Sequence, residues 1–269
     1  LILTNPIGIM LIHGVGVCRL NPNPDHTYRI YQDSSMTTTA TPVLLTCLSA
    51  PTHPAIPDLD RLNDRFESAH PVEVIRWAVA MFGDSLCLTT SFQDTLLVDL
   101  AVSVDPEIEV VFLDTGFHFA ETLDVLRRAQ SRHSLHLRVE RPEPDAADVW
   151  ANGQEACCAA RKVDPLDRAL AGKAAWLSGL RRDDGGDRAS SRIVAVDRRG
   201  LVKVNPMAAW SADDADAYVQ SHDVIRNPLF ADGYTSVGCW PCTERPAAGA
   251  NARSGRWAGS TRTECGLHL

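Results

Sequence analysis

Glu109-Val110-Val111-Phe112-Leu113-Asp114-Thr115-Gly116 is an apolar run that ends abruptly in a polar, glycine-containing turn. An unbroken Val-Val-Phe-Leu run suits a strand covered on both faces, as in a parallel sheet. Beyond the turn, Phe119, Leu123 and Leu126 recur at helical spacing. The same unit precedes it. Leu86 and Leu88 alternate with Ser85 and Cys87, run into Thr89-Thr90-Ser91, and give way to Leu96, Leu97, Leu100 and Val104 on one helical face. Further upstream, Pro71 opens a helix carrying Ile75, Ala78, Val79 and Phe82, and Gly83 stops it.

Downstream, residues 135–139 alternate as a strand, and Ala175-Trp176-Leu177 runs into Ser178-Gly179. Ile193 to Val196 and Leu201 to Val204 read as a hairpin or two short strands. Ser211 with Asp214 forms a capping-box signature for a helix reaching about Ser221. Strands alternating with helices predict an α/β fold, a mainly parallel twisted sheet flanked by helices. Such sheets bind ligands beyond the carboxyl ends of their strands. The turns Thr89-Thr90-Ser91, Asp114-Thr115-Gly116 and Ser178-Gly179 therefore predict one nucleotide-sized cleft.

The chain has 269 residues, 45% hydrophobic and 22% charged, enough for a normal core. Its formal net charge of −8 argues against a nucleic-acid footprint, which needs a basic face. No apolar run reaches the length of a membrane span. Residues 1–57 are rich in Pro, Thr and Asn and are expected to be a disordered extension. Met36 starts a run resembling a bacterial N-terminus, so residues 1–35 are expected to lie outside the natural mature protein. Residues 58–225 form the expected nucleotide-binding domain, and residues 226–269, rich in Gly, Pro, Arg and Cys, an ordered tail.

Eight cysteines are many for such a chain. Cys157 and Cys158 are adjacent, and Cys239 and Cys242 form a C-x-x-C, a pattern of metal or redox chemistry in a reducing compartment, hence the cytoplasm. Four thiolates suit an iron–sulfur cubane or a structural zinc, and spacing alone does not decide between them. Buried free thiols acting as small hydrophobes are the bland alternative, and Cys87 is read that way.

Cys265, near the C-terminus, is either an inert tail thiol or a nucleophile carried on a flexible arm, activated by nearby cations. Arg181, Arg182 and Arg188 follow a strand end, and Arg253 and Arg256 are spaced to face one ligand. Guanidinium groups match phosphate and sulfate oxygens bidentately. Thr89 to Asp94 stands where a strand enters a helix, a place where amides can hold a phosphate, but it lacks a Walker signature.

Five segments together carry a family resemblance. They are Cys157-Cys158-Ala-Ala-Arg161-Lys162, Trp176-Leu-Ser-Gly179-Leu-Arg181-Arg182-Asp183, Gly238-Cys239-Trp-Pro-Cys242-Thr243, Arg253-Ser-Gly-Arg256-Trp257 and Glu264-Cys265-Gly266-Leu267-His268. In this order, over about residues 58–269, the chain resembles the assimilatory adenylyl-sulfate reductases of the adenine nucleotide α-hydrolase-like superfamily. The resemblance implies that Cys265 attacks adenosine 5′-phosphosulfate, releasing AMP and leaving S-sulfocysteine, from which thioredoxin releases sulfite. It implies a [4Fe–4S] cluster on Cys157, Cys158, Cys239 and Cys242, with Lys162 between cluster and substrate. Gly179, Arg188, Arg253, Arg256 and His268 match positions lining the phosphosulfate pocket, and Asp114 and Gly116 a nucleotide-binding strand end. The phosphate loop departs from the family's Ser-Phe-Ser-Gly-Ala-Glu-Asp. Here it reads Leu88-Thr89-Thr90-Ser91-Phe92-Gln93-Asp94, without the glycine but with Thr90 and Asp94 in place.

Reductases of the 3′-phosphorylated nucleotide resemble this family but usually lack the cluster cysteines, so adenosine 5′-phosphosulfate is the expected substrate. An ATP pyrophosphatase would want a Ser-Gly-Gly-x-Asp-Ser loop, which the sequence does not contain. No membrane or nucleic-acid partner is expected, and a homo-oligomer is compatible with the sequence.

Overall fold

The computed structural model describes residues 58–144, 150–251, 253–257, 262 and 264–267, with the backbone of two short strands nearer the N-terminus. The chain divides into two compact units, Leu1–Thr52 and His53–Leu269. In the first, strands β1 (Ile9–Leu11) and β2 (Val17–Arg19) pair antiparallel. The expected disordered extension, residues 1–57, otherwise lies outside the described residues.

The second unit is built on a six-stranded sheet. Its strands are β3 (Leu86–Thr90), β4 (Glu109–Leu113), β5 (Leu137–Glu140), β6 (Ala175–Ser178), β7 (Val194–Val196) and β8 (Val202–Val204). Their order is β5-β4-β3-β6-β8-β7. Every pairing is parallel except β7 with β8, so the expected hairpin is the antiparallel edge of a parallel sheet. From β3 the chain winds outward through β4 to β5, then returns to the other side of β3 with β6. The β3–β6 boundary is thus a topological switch point, where a crevice opens between diverging connections.

The helices are α1 (Leu59–Phe66), α2 (Pro71–Phe82), α3 (Leu96–Val102), α4 (Ala120–His133), α5 (Gln154–Cys158), α6 (Asp164–Ala169) and α7 (Ala212–Ser221). Local chemistry sets their ends. Pro71 stands in the first turn of α2, His70 accepts from the Val72 amide at 3.3 Å, and Gly83 terminates the helix at φ 48. The Ser211–Asp214 capping box opens α7. On α4 the buried face is Thr122, Val125 and Ala129, while the expected Leu123 is exposed. Helical geometry puts positions three and seven residues apart on one face, and 122, 125 and 129 satisfy it.

Strand residues divide by parity between two buried layers. Leu88, Val110, Phe112, Ala175 and Leu177 join the larger core, and α2, α3, α4 and α7 supply its other wall. Cys87, Val111, Leu113 and Trp176 point the opposite way, onto Leu166 and Ala169 of α6. Cys87 is therefore the core residue expected of it; burial pushes its thiol up to about 12 and leaves it protonated. No helix among the described residues is long and apolar enough to cross a membrane.

Candidate active site

A cavity of about 500 Å³ opens at the carboxyl ends of β3, β4 and β6, at the switch point. Each strand feeds it through the turn that follows. After β3, Thr90 accepts from the Phe92 amide at 3.2 Å, and Asp94 accepts from the Leu96 amide at 3.0 Å, fixing the entry into α3. Phe92 takes a left-handed φ of 50, unusual for a bulky residue. Its fully buried ring packs edge-on against Phe112 at 5.5 Å, which holds the turn there. Thr90 and Asp94 both line the cavity, and burial raises the Asp94 pKa.

After β4, the cavity is lined by Thr115 and His118 rather than by the expected Asp114 and Gly116. Asp114 turns outward, accepting from the Gly116 amide at 3.1 Å and pairing with Arg141 at 3.1 Å. Gly116, at φ 74, lies beside Arg161, which donates to the Thr115 carbonyl at 2.9 Å. His118 Nε2 lies 2.9 Å from the Leu113 carbonyl, and burial lowers its pKa, favouring the neutral ring.

After β6, Gly179 lies at the cavity wall, where a Cβ would meet Met207 and Leu97 at ordinary contact distance. Arg181 and Arg188 also line it. Arg182 does not: it donates to the Ser191 carbonyl at 2.8 Å and pairs with Glu67. Among the three arginines of this segment, side-chain partners sort the two lining residues from the outward one.

The tail closes the cavity. Cys239 to Cys242 runs into a short 3₁₀ turn, Trp240–Cys242, and the Trp240 amide donates to the Phe117 carbonyl at 2.8 Å. The Glu244 amide donates to the Gly255 carbonyl at 2.8 Å, and Thr243 bridges Arg256. A Cβ on Gly255 would stand 2.1 Å from the Glu244 carbonyl oxygen, so only glycine allows this approach. The turn thus formed presents both Arg253 and Arg256 to the cavity. Arg256 lies over the Trp257 ring at 4.7 Å and rests against Gly238, where a Cβ would meet its guanidinium at 2.2 Å. Burial, then the charge of Arg188, pushes Arg253 down to about 10, still cationic at neutral pH.

Cys265 lies in this cavity, 7% exposed. Lys162 lines it too. Burial alone depresses the Lys162 ammonium, but attraction from Cys265, Cys239 and Cys158 outweighs it and its pKa ends raised. The site therefore gathers a thiol, an ammonium and the guanidiniums of Arg188, Arg253 and Arg256. Such a set can hold a dianionic ester and favour a thiolate beside it. His268 lies outside the described residues.

The four other cysteines of the tail and of α5 are buried and free. Cys157 and Cys158 end α5, and the chain then passes through a π-helical turn, Ala159–Val163, into α6. A widened turn of this kind re-aims neighbouring side chains and recurs at functional sites. Burial raises the pKa values of Cys157, Cys158 and Cys242, and neighbouring thiolates add to it: Cys239 acts on Cys157, Cys265 and Cys242 on Cys158, and Cys239 and Cys157 on Cys242. The Thr115 hydroxyl lies 3.3 Å from Cys239 Sγ. Among the described residues, no group of three or more His, Cys, Asp or Glu side chains stands at metal-binding geometry.

The family model for the phosphoadenosine phosphosulfate reductase domain matches residues 85–245, from the first strand of the sheet to the C-x-x-C segment. The chain belongs to the phosphoadenosine phosphosulfate reductase family. Within it, the chain is 43% identical over 218 residues to an adenosine 5′-phosphosulfate reductase of Streptomyces coelicolor, covering 78% of this chain and 92% of the relative. It is also 43% identical over 211 residues to the adenosine 5′-phosphosulfate reductase of Mycobacteroides abscessus, covering 75% and 89%. A phosphoadenylyl-sulfate reductase from Candida auris, solved as a phosphate complex, superposes with a TM-score of 0.62 at 27% identity, over 71% of this chain and 98% of that one. An FMN adenylyltransferase of Candida glabrata shares the fold at a TM-score of 0.51 and 13% identity, over 71% of this chain and 68% of that one.

Sequence reasoning missed His118 and Glu264 as cavity residues. His118 follows the β4 turn directly, and Glu264 adjoins Cys265, so position relative to a strand end and to the tail cysteine was the available signal.

Proposed function

We propose that this member of the phosphoadenosine phosphosulfate reductase family reduces adenosine 5′-phosphosulfate to sulfite and AMP, with Cys265 as nucleophile. One observation carries the reading: the Cys265 thiol shares a single nucleotide-sized cavity with Lys162, Arg188, Arg253 and Arg256. The naming of the bacterial relatives supports the substrate.

The cations would orient the phosphosulfate with its sulfur toward Cys265. The thiolate forms a bond to that sulfur, and the sulfur–oxygen bond to the phosphate breaks. AMP leaves with the electron pair, and its developing charge is met by the same cations. Cys265 is left as S-sulfocysteine. A dithiol protein of the thioredoxin type then attacks Cys265 Sγ; sulfite departs with the bonding pair, and the reductant's second thiol resolves the mixed disulfide. Sulfur falls by two oxidation units and the dithiol supplies both electrons. Thr90, Asp94 and Gly179 form the nucleotide side of this cavity, while Asp114 and Gly116 support the β4 turn from outside it.

The donor set of Cys157, Cys158, Cys239 and Cys242 fits a [4Fe–4S] cluster in its chemistry: four buried, unpaired thiols close enough to repel one another as thiolates. Bound there, a cluster would supply a fixed charge or an electron-transfer centre beside Lys162. Residues 58–225 would then carry the nucleotide and residues 226–269 the reactive thiol and half of the cluster ligands.

Sulfite release should be measured with adenosine 5′-phosphosulfate and with its 3′-phosphorylated form, each with thioredoxin. Preference for the first is expected. The family's name makes the second the competing reading, and a clear preference for the 3′-phosphorylated form would establish it. Iron analysis and the absorption spectrum of protein purified without air test the cluster separately; colourless, iron-free protein would remove it.

A further inference from the structure

Glu264 directly precedes Cys265, and its carboxylate is almost wholly buried inside the cavity. Both oxygens face Arg188, Oε1 at 2.5 Å from Nε and Oε2 at 3.3 Å from Nη2. Oε1 also accepts from Arg253 Nη2 at 3.3 Å. Its backbone carbonyl accepts from Arg262 at 3.1 Å. Arg188 is held from its other side by Asp184 at 2.9 Å, so it does not depend on Glu264 for its place.

A bidentate carboxylate on a guanidinium is the geometry that phosphate and sulfate oxygens adopt there. Glu264 thus occupies the donors that a phosphosulfate needs, on the residue next to the thiol that must attack it. A full-charge carboxylate and a dianionic substrate cannot both stay on the same buried guanidiniums without strong repulsion.

We propose that Glu264 is a positioning residue for the Cys265 thiol, which holds Arg188 and Arg253 in place of the substrate's anionic group until that group displaces it. In the free protein the contact docks the tail, with Cys265 inside the cavity. When substrate arrives, its oxygens take over the guanidiniums, Glu264 swings away, and the released tail lets Cys265 adjust to the sulfur. The proposal rests on the reading that Cys265 is the nucleophile and that these arginines hold the phosphosulfate.

The test removes chemistry first. Cys265→Ser protein and Cys265→Ser/Glu264→Gln protein are titrated with adenosine 5′-phosphosulfate in the absence of reductant. The double variant should bind about tenfold more tightly, the size of one charge-assisted contact no longer competed for. Equal or weaker binding would overturn the proposal and make Glu264 a support of the pocket. A second measurement keeps the Cys265 thiol: the rate at which N-ethylmaleimide modifies it, read by peptide mass spectrometry on substrate-free protein. Inorganic sulfate should speed that reaction by displacing Glu264, and Glu264→Gln should abolish the sulfate effect while raising the basal rate. A rate that sulfate leaves unchanged or slows contradicts the proposal. Failure of the underlying reading is distinguishable, because it would show as turnover surviving Cys265→Ser, whatever the binding comparison gives.

Discussion

Strand β6 and the segment from Cys239 to Cys265 meet at the same cavity, yet they are held by opposite means. All four residues of β6 are buried, and its register is set by parallel pairing with β3 and β8 and by apolar layers on both faces. The tail has, among the described residues, one small apolar cluster, Cys242, Trp257 and Cys265 against Cys158. Its ordering comes from 3₁₀ and bridge hydrogen bonds at Trp240, Glu244 and Trp257, from arginines laid over Trp257, and from the Glu264 ion pairs. Burial is non-directional and tolerant of small shifts, whereas charged hydrogen bonds are directional and sensitive to small shifts. The sheet therefore determines whether the protein folds, and the tail determines whether its thiol and cations are in place.

The largest effect expected from this contrast falls on the tail alone. Cys265→Ser should cut turnover by about a thousandfold or more while leaving the melting temperature unchanged, because it removes the proposed nucleophile and little packing. Steady-state sulfite release and calorimetry on the same preparation check both halves; a lowered melting temperature would blur the division. Next comes the reverse case in the sheet. Leu88, fully buried in β3, should cost about 2–5 kcal/mol when changed to Ala, with kcat/KM per folded molecule nearly unaltered. Denaturant titration reads the first and active-site-normalised kinetics the second.

Gly255→Ala sharpens the comparison within the tail. Its Cβ would press on the Glu244 carbonyl at 2.1 Å, so the turn carrying Arg253 and Arg256 must move. KM should rise about tenfold, corresponding to one weakened charged contact, with a much smaller change in stability. The smallest effect tests a charge inside the sheet. Lys203 of β8 is buried over the Trp176 ring at 5.2 Å, and burial lowers its pKa from 10.5 to about 8. Between those values the unfolded chain binds the extra proton, so stability should climb as pH rises from 8 towards 10.5, and the charged-state penalty is complete below 8. Lys203→Met should therefore stabilise the protein by about 1–2 kcal/mol at pH 7, an advantage that fades by pH 10. Thermal unfolding across that range measures it.

The same contrast explains what the sequence revealed. β3, β4 and β6 were legible because parity and apolar runs are local signals that burial on two faces obeys. The capping box of α7 and the Pro71–Gly83 boundaries of α2 were legible for the same reason. The short helices α5 and α6 and the π-helical turn between them carry too few residues for a period to register, so only the adjacent cysteines marked that segment. Arg181, Arg182 and Arg188 look alike in sequence, and their partners separate them: distant Glu67 takes Arg182 outward, while Asp184 holds Arg181 and Arg188 at the cavity, where Glu264 meets Arg188. Asp114 and Gly116 lie at the right strand end but face Arg141 and Arg161. The turn at Phe92 hid itself because its left-handed backbone falls on an aromatic residue instead of glycine, stabilised by a ring contact with Phe112 that no local rule contains.

The most direct test mixes the protein with adenosine 5′-phosphosulfate and no reductant, then maps the adduct by peptide mass spectrometry. One sulfonate group on Cys265, formed together with one equivalent of AMP and removed by thioredoxin as sulfite, is the expected result. AMP release with Cys265 unmodified, or a sulfonate on Cys157, Cys158, Cys239 or Cys242 instead, would contradict the assignment of the terminal thiol as nucleophile.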